Sequence, residues 1–217
     1  MKTNSDRSLK SLNMKWLVML ALFDMLVVVL FIVPDVNTAA LTQLTIARGL
    51  VTTVLPVVLL LITGVLSHDA KAVLVYWKIK NVMPGCQAFT KYGPSDLRID
   101  MAALKKNVGV LPTEPTEQNS KWFKLYQMVK TDPAVVEAHK LYLIYRDMAA
   151  MSLPLIVLVP LGLFIYGASS AVPWIAAGLF FLQFLISTVS ARNSGVRFVC
   201  NVLAIHSAKK VTTSPVH

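Results

Sequence analysis

The chain has 217 residues, of which 55% are apolar and only 15% are charged. A soluble domain of this size needs a more strongly charged surface, so the composition excludes an ordinary soluble globular protein and indicates a membrane protein. The formal net charge of +10 allows a nucleic acid or nucleotide as ligand. Its distribution along the chain, however, points first to the membrane surface.

Four apolar runs of 17 to 20 residues account for this composition. A helix needs roughly 20 apolar residues to cross about 30 Å of hydrocarbon, so each run predicts one transmembrane helix. The runs form two pairs on either side of one long polar segment, which predicts an all-α membrane protein with four transmembrane helices arranged as two hairpins. The runs are Lys15 to Pro34, Leu50 to Leu66, Met148 to Gly167 and Val172 to Ala191.

The basic residues are unevenly distributed around these runs. Twenty of the 21 Lys and Arg residues lie before the first run or at its first residue, Lys15, between the two pairs or after the last run, and only Arg48 lies between the two runs of a pair. The positive-inside rule then places both termini and the central segment in the cytoplasm. We therefore expect a multi-pass protein whose basic side faces the anionic leaflet, with the lipid bilayer as its first partner.

This topology divides the chain into five segments. Residues 1–14 form a cytoplasmic N-terminal tail, 15–67 the first hairpin, 68–147 a cytoplasmic helical domain, 148–191 the second hairpin and 192–217 a cytoplasmic amphipathic C-terminal segment. The last segment is suited either to lie on the inner leaflet or to pack on the helix that follows the second run.

Asp24 lies in the middle of the first run. An ionised carboxylate at the bilayer centre costs at least ~2.5 kcal/mol on insertion scales, so such a residue usually faces a partner or a water-filled cavity. Two interpretations remain open. Asp24 either lines a pore or binds a proton, or it is a packing residue satisfied by Thr52, Thr53 or Gln183. Asp24 and Gln183 are the predicted intramembrane polar residues.

The second run is followed by a segment without a helix breaker before Pro84-Gly85. This predicts that its helix continues for several turns beyond the membrane. Turn signals dominate from Pro84 to Thr116, with one short helix from Met101 to Asn107. That helix has Asp100 as its N-cap and Gly109 past its end.

Two further helix starts precede the third run. Thr113-Glu114-Pro115 has the residue types and charge that favour a helix N-terminus, and Asp132-Pro133 supplies a cap followed by a proline in the first helical position. The second of these helices has no breaker before Pro154, so Ala134 to Ala150 should run directly into the third run. Transmembrane helices 2 and 3 are thus both expected to extend into the cytoplasmic domain.

Aromatic and charged side chains follow helical spacing along these predicted helices. The pattern favours a core or interface stripe over a ligand-binding motif. We expect a partner or ligand surface formed by Trp122, Tyr126, His139 and Arg146.

Motifs for catalysis are missing from the sequence. It contains no Ser or Cys nucleophile motif, no HExxH and no Gly-rich phosphate loop, and Cys86 and Cys200 lack metal-ligand spacing. The cytoplasmic segment is also too small for most enzyme folds once its stalk helices are subtracted. We therefore expect no catalytic residues, no metal and no cofactor. A nucleic acid or nucleotide ligand is allowed by the charge but not indicated by a motif.

The central segment contains Pro84-Gly85-Cys86, Gln118-Asn119, Lys121-Trp122, and Tyr142-Leu143 through Arg146-Asp147. With this insert between two hairpins, the chain resembles small bacterial inner-membrane proteins. It is also similar in size and layout to the four-span membrane subunit of the Kiwa anti-phage system and to membrane effectors of other defence systems. The resemblance implies a membrane sensor or pore that acts with a soluble cytoplasmic partner.

One function is expected from these features, with two alternatives. The expected protein is a non-enzymatic, oligomeric inner-membrane sensor or channel-like effector of anti-phage defence, which responds through its cytoplasmic domain to a partner or ligand. A homo-oligomer is expected because small residues such as Gly162 and Gly178 let helices approach closely in lipid. The alternatives are a membrane scaffold that anchors a cytoplasmic partner and a small lipid-modifying enzyme.

Overall fold

A computed structural model describes residues 9–32, 61, 64–165 and 167–208. These residues form helices and connecting turns without a strand among them, which confirms the all-α prediction. The helices are α1 (Leu9–Ile32), α2 (His68–Tyr76), α3 (Met101–Val108), α4 (Pro115–Val129), α5 (Pro133–Ile165) and α6 (Ala171–Ala208). Between α2 and α3 lie a 3₁₀ turn (Pro84–Gln87), a π turn (Ala88–Tyr92) and a short α-helical turn (Gly93–Ser95).

Three of the described helices, α1, α5 and α6, are long and apolar enough to cross a membrane. Each carries large apolar side chains that are exposed in the isolated chain, among them Phe23, Phe164 and Trp174. Such faces suit contact with lipid, so the protein is a multi-pass membrane protein. The second predicted run, Leu50 to Leu66, lies almost wholly outside the described residues. The fourth span and the pairing into hairpins therefore stay predictions.

Helix α1 begins at Leu9, earlier than the sequence suggested. The tail at residues 1–14 was expected to need no fold, but Leu9 to Asn13 already belong to the helix. No proline or glycine separates these residues from the apolar run, so the helix extends N-terminally without a break.

Helix α2 departs from the prediction of one unbroken helix after the second run. The chain bends at Leu66 and leaves the helical conformation at Ser67. The Ser67 hydroxyl accepts a hydrogen bond from the backbone N–H of Ala70 at 3.1 Å, so Ser67 caps a new helix. That helix ends at Tyr76, because Trp77 takes a φ of 53°, a left-handed conformation that stops a helix.

The starts of α3, α4 and α5 confirm the predicted caps. The Asp100 carboxylate accepts from the backbone N–H groups of Ala102 and Ala103. The Glu114 carboxylate accepts from the N–H of Glu117, and the Asp132 carboxylate accepts from the N–H of Ala134 at 2.9 Å. Helix α5 runs without a break into the third run, as predicted, and also continues through Pro154 and Pro160.

The chain divides into two compact units. The first comprises residues 1–75 and 143–189, and the second comprises residues 76–142 and 190–217. Because α5 and α6 are each one continuous helix, both contribute residues to both units. The division places His68 to Val75 of α2 in the first unit and Tyr76 in the second, whereas the predicted cytoplasmic domain began at residue 68.

The core of the first unit is apolar and draws on three helices. Leu17 and Ala21 of α1 pack in one cluster with Met151 and Leu155 of α5 and with Phe180 of α6. All five side chains are almost fully buried. The third and fourth apolar runs are thus held together by ordinary close packing.

The end of α6, as far as Ala208, forms the centre of the second unit. Residues 192–217 were expected either to lie on the inner leaflet or to pack on the helix that follows the second run. In the described part, Gly195 lies against Tyr76 of that helix, α2, and Phe198, Val199, Val202 and Leu203 are buried among side chains of α3, α4 and α5. The apolar stripe read as a membrane-binding face is therefore a core face.

Gly195 permits the closest approach in this part of the chain. A Cβ added at Gly195 would overlap the hydroxyl of Tyr76 and would lie 3.2 Å from the Tyr142 ring. In the sequence this glycine looks like an interruption of the helix. In the structure it lets two tyrosines pack directly against the α6 backbone.

We predict that Gly195→Ala lowers the free energy of unfolding of the second unit by about 1–3 kcal/mol, because the added methyl group overpacks the tyrosine contact. Both cysteines of the chain, Cys86 and Cys200, are buried in this unit. Heating with a thiol-reactive dye therefore reports its unfolding. In the matched control Gly178→Ala, the added Cβ meets no described atom within 4 Å, so the transition should stay in place. A Gly195→Ala transition at the wild-type temperature would contradict the packing argument.

Candidate functional site

Asp24 is fully buried in the first unit, with an exposed fraction of 0%. Gln183 of α6 approaches its carboxyl group, but neither oxygen of Asp24 has a hydrogen bond of normal geometry to a described residue. The amide nitrogen of Gln183 instead donates to the Ser152 hydroxyl at 3.0 Å. Asp24, Ser152 and Gln183, here called the polar cluster, thus join α1, α5 and α6 inside an otherwise apolar unit.

A groove of about 530 Å³ opens beside this cluster. Gln183 and Ser187, one helical turn apart on α6, supply its polar atoms, and the rest of its wall is apolar. The groove is lined by Phe23, Val27, Leu30, Phe31, Leu179, Leu182, Gln183, Ile186 and Ser187.

The predicted pair Asp24 and Gln183 is therefore brought together by the structure. Thr52 and Thr53, the other predicted partners of Asp24, lie outside the described residues. The sequence reading missed Ser152 and Ser187. Both serines interrupt apolar runs. Ser187 lies four residues after Gln183, so helical spacing could have placed it beside Gln183, whereas Ser152 is on another helix and no local signal connects it to Gln183.

A second group of charges is buried in the first unit. The Lys71 ammonium lies 3.0 Å from Oδ1 of Asp147, and the Arg146 guanidinium donates to the same oxygen through Nε at 3.2 Å and Nη2 at 3.0 Å. The side chains are only 5%, 8% and 6% exposed for Lys71, Arg146 and Asp147. This triad joins α2 to α5 just before the third apolar run.

His68 lies within the electrostatic reach of the triad. Partial desolvation, and then the positive charge of Arg146, lower the pKa of His68. Both effects disfavour a further positive charge on the imidazole next to Lys71 and Arg146.

The second unit contains an aromatic cluster around Phe198 of α6. The His139 ring stacks on Phe198 with ring centroids 4.5 Å apart, while Trp122 and Tyr126 meet Phe198 edge to face, each at 5.1 Å. The Tyr126 hydroxyl lies 3.2 Å from Nδ1 of His139. Burial raises the pKa of Tyr126, and its hydroxyl shares a hydrogen bond with the His139 ring.

The four residues predicted as a partner surface are thus distributed over two environments. Trp122 is a core residue, 7% exposed, whereas Tyr126 and His139 are half-buried. Arg146 belongs to the first unit and is buried in the triad. For Trp122 and Arg146 the structure shows internal packing within the chain, and contact with a partner stays a prediction for all four. Phe198, which holds three of them together, was missed because it lies far along the chain.

The second unit also has a polar pocket of about 440 Å³. Arg98 lines this pocket. Its guanidinium forms an ion pair with Asp96 at 2.7 Å and donates to Oδ1 of Asn201 at 3.1 Å. The hydrogen bonds from Arg98 lower the pKa of Asp96 to about 2. The pocket is lined by Arg98, Ala134, Glu137, Ala138, Leu141, Arg197 and Asn201. Its mixed charge suits a small polar ligand or a peptide segment.

No group of three or more metal-ligating side chains converges within the described ranges. Comparisons with protein-family models, with curated proteins and with solved structures find no match to this chain.

We predict that Asp147→Asn destabilises the first unit by about 3–5 kcal/mol, because it leaves two buried cations side by side without their shared carboxylate. Lys71→Met is the matched control, since it keeps the Arg146–Asp147 pair and should cost less. The fraction of each variant that remains monodisperse after heating in detergent, measured by size-exclusion chromatography, gives the order of stability. Equal losses for the two variants would show that Asp147 does not hold the triad together.

Proposed function

We propose that this protein is a non-enzymatic, oligomeric membrane sensor or channel-like effector of the bacterial inner membrane. The observation that carries the proposal is the buried Asp24 carboxyl group, which lies in an apolar helix without a well-formed hydrogen bond to a described residue. A carboxyl group is costly in the hydrocarbon region, and intramembrane carboxylates that persist there typically serve ion or proton pathways.

The proposed topology has four spans in two hairpins. The three described membrane helices and the run from Leu50 to Leu66 supply the spans, and the excess of Lys and Arg on one side supports cytoplasmic termini. The second unit then lies in the cytoplasm, where a partner or ligand can reach it.

Coupling between the two units rests on the continuity of α6. This helix contributes Gln183 to the polar cluster and Phe198 and Asn201 to the second unit. A ligand that binds one arrangement of the second unit more tightly shifts the population of that arrangement. Because Gln183 of the same helix approaches Asp24, such a shift can change the hydrogen bonding of the polar cluster.

The pocket at Arg98 and the half-buried pair Tyr126 and His139 are the proposed contact points for that ligand or partner. Their role in anti-phage defence rests on the resemblance to the membrane subunit of the Kiwa system.

We predict that cells expressing the protein depolarise, alone or with the genes that neighbour its own, and that Asp24→Asn abolishes this at equal membrane abundance. A voltage-sensitive dye measures the potential. Asp69→Asn is the matched control, because it removes an exposed carboxylate from the same unit and should leave depolarisation intact.

Three outcomes would count against the channel function. Depolarisation that persists in Asp24→Asn would remove Asp24 from the path. Loss of membrane abundance in Asp24→Asn would make Asp24 a packing residue. Absence of depolarisation under every condition, including phage challenge, would favour a scaffold that anchors a cytoplasmic partner.

A further inference from the structure

The segment from Trp77 to Lys80 is an exposed apolar and basic stretch of the second unit. Ile79 is 89% exposed and Trp77 is 59% exposed, and the side chains of Lys78 and Lys80 on either side of Ile79 are also exposed. Neither lysine forms an ion pair within the described part of the chain. An isoleucine so fully exposed between two lysines is poorly suited to water and well suited to an anionic, partly apolar surface.

The backbone holds this segment in a defined conformation. Trp77 has a φ of 53° and Asn81 a φ of 51°. The left-handed region is unfavourable for a bulky residue such as tryptophan and persists only where other contacts enforce it. Here the Arg192 guanidinium lies over the Trp77 ring, 4.0 Å from its centroid, which is a favourable cation–π distance.

Arg192 also indicates the depth of this segment. It is the first charged residue after the apolar run from Val172 to Ala191 on α6. The charged head of such a residue lies at the boundary between hydrocarbon and headgroups. Because the Trp77 ring lies against Arg192, Trp77 is at this boundary as well, which is the level that tryptophan prefers in membrane proteins.

We propose that Trp77, Lys78, Ile79, Lys80 and Arg192 form a binding site for anionic phospholipid headgroups. Ile79 and Trp77 enter the interfacial layer, and the two lysine ammonium groups contact lipid phosphates. The lysines are attracted by the negative surface potential of the leaflet. The site attaches the second unit to the membrane independently of the proposed channel function.

The test places a spin label at position 79 through Ile79→Cys. The native cysteines are buried, so wild-type protein measures background labelling. The full-length protein is reconstituted in nanodiscs containing phosphatidylglycerol and phosphatidylcholine, and in discs of phosphatidylcholine alone. Power-saturation electron paramagnetic resonance then measures how easily oxygen and a water-soluble nickel chelate reach the label.

We expect the label at position 79 to be several-fold less accessible to the nickel chelate than to oxygen in the anionic discs. The matched control is Val110→Cys, an apolar position that is 78% exposed in a different loop. Its label should remain accessible to the nickel chelate in both kinds of disc. Adding Lys78→Glu and Lys80→Glu to the Ile79→Cys variant should move that label towards water.

Each contrary result would overturn the proposal. Nickel accessibility at position 79 equal to that at position 110 would place the segment in water. The same depth in both kinds of disc would remove the requirement for anionic lipid. Protection from oxygen and nickel together would indicate that protein, for example a second copy of the chain, covers the segment instead of lipid.

Discussion

A carboxylate buried among apolar side chains needs counter-charges or hydrogen-bond donors, and two such groups organise the first unit. Asp147 meets this requirement, because one of its oxygens accepts hydrogen bonds from the side chains of Lys71 and Arg146 at about 3 Å. These ion pairs connect α2 to α5. Asp24 meets it only in part, since Gln183 approaches its carboxyl group but donates to Ser152. Replacing a partnered carboxylate costs stability, whereas the incompletely partnered Asp24 is the basis of the proposed ion or proton path.

The second unit depends on the same helix that approaches Asp24. Helix α6 passes from Gln183 to the core residues around Phe198 as one element, so the aromatic cluster and the pocket at Arg98 are built on a continuation of a membrane helix. This arrangement suits a protein in which events outside the bilayer bias a group inside it.

Local signals in the sequence predicted the helices well, because a cap acts over only three residues. The Asp100 and Asp132 carboxylates bond the nearest free N–H groups, and the predicted starts of α3 and α5 followed directly. Contacts between residues far apart in the chain could not be predicted in this way. The sequence does not show that Tyr76 packs on Gly195 or that Phe198 packs on Trp122. The helix break at Ser67 is a local feature, but no proline or glycine marks it. The approach of Gln183 to Asp24 was predictable because few polar residues interrupt the apolar runs.

The proposed channel requires that several copies of the chain together enclose an ion or proton path that contains Asp24. The three or four membrane helices of one copy are too few to surround a water-filled pore. Native mass spectrometry of the protein released from lipid nanodiscs tests this directly. We expect a complex with the mass of two or more whole chains, with the same subunit number in wild-type protein and in Asp24→Asn. A single copy per particle, at every protein concentration and lipid composition, would contradict it.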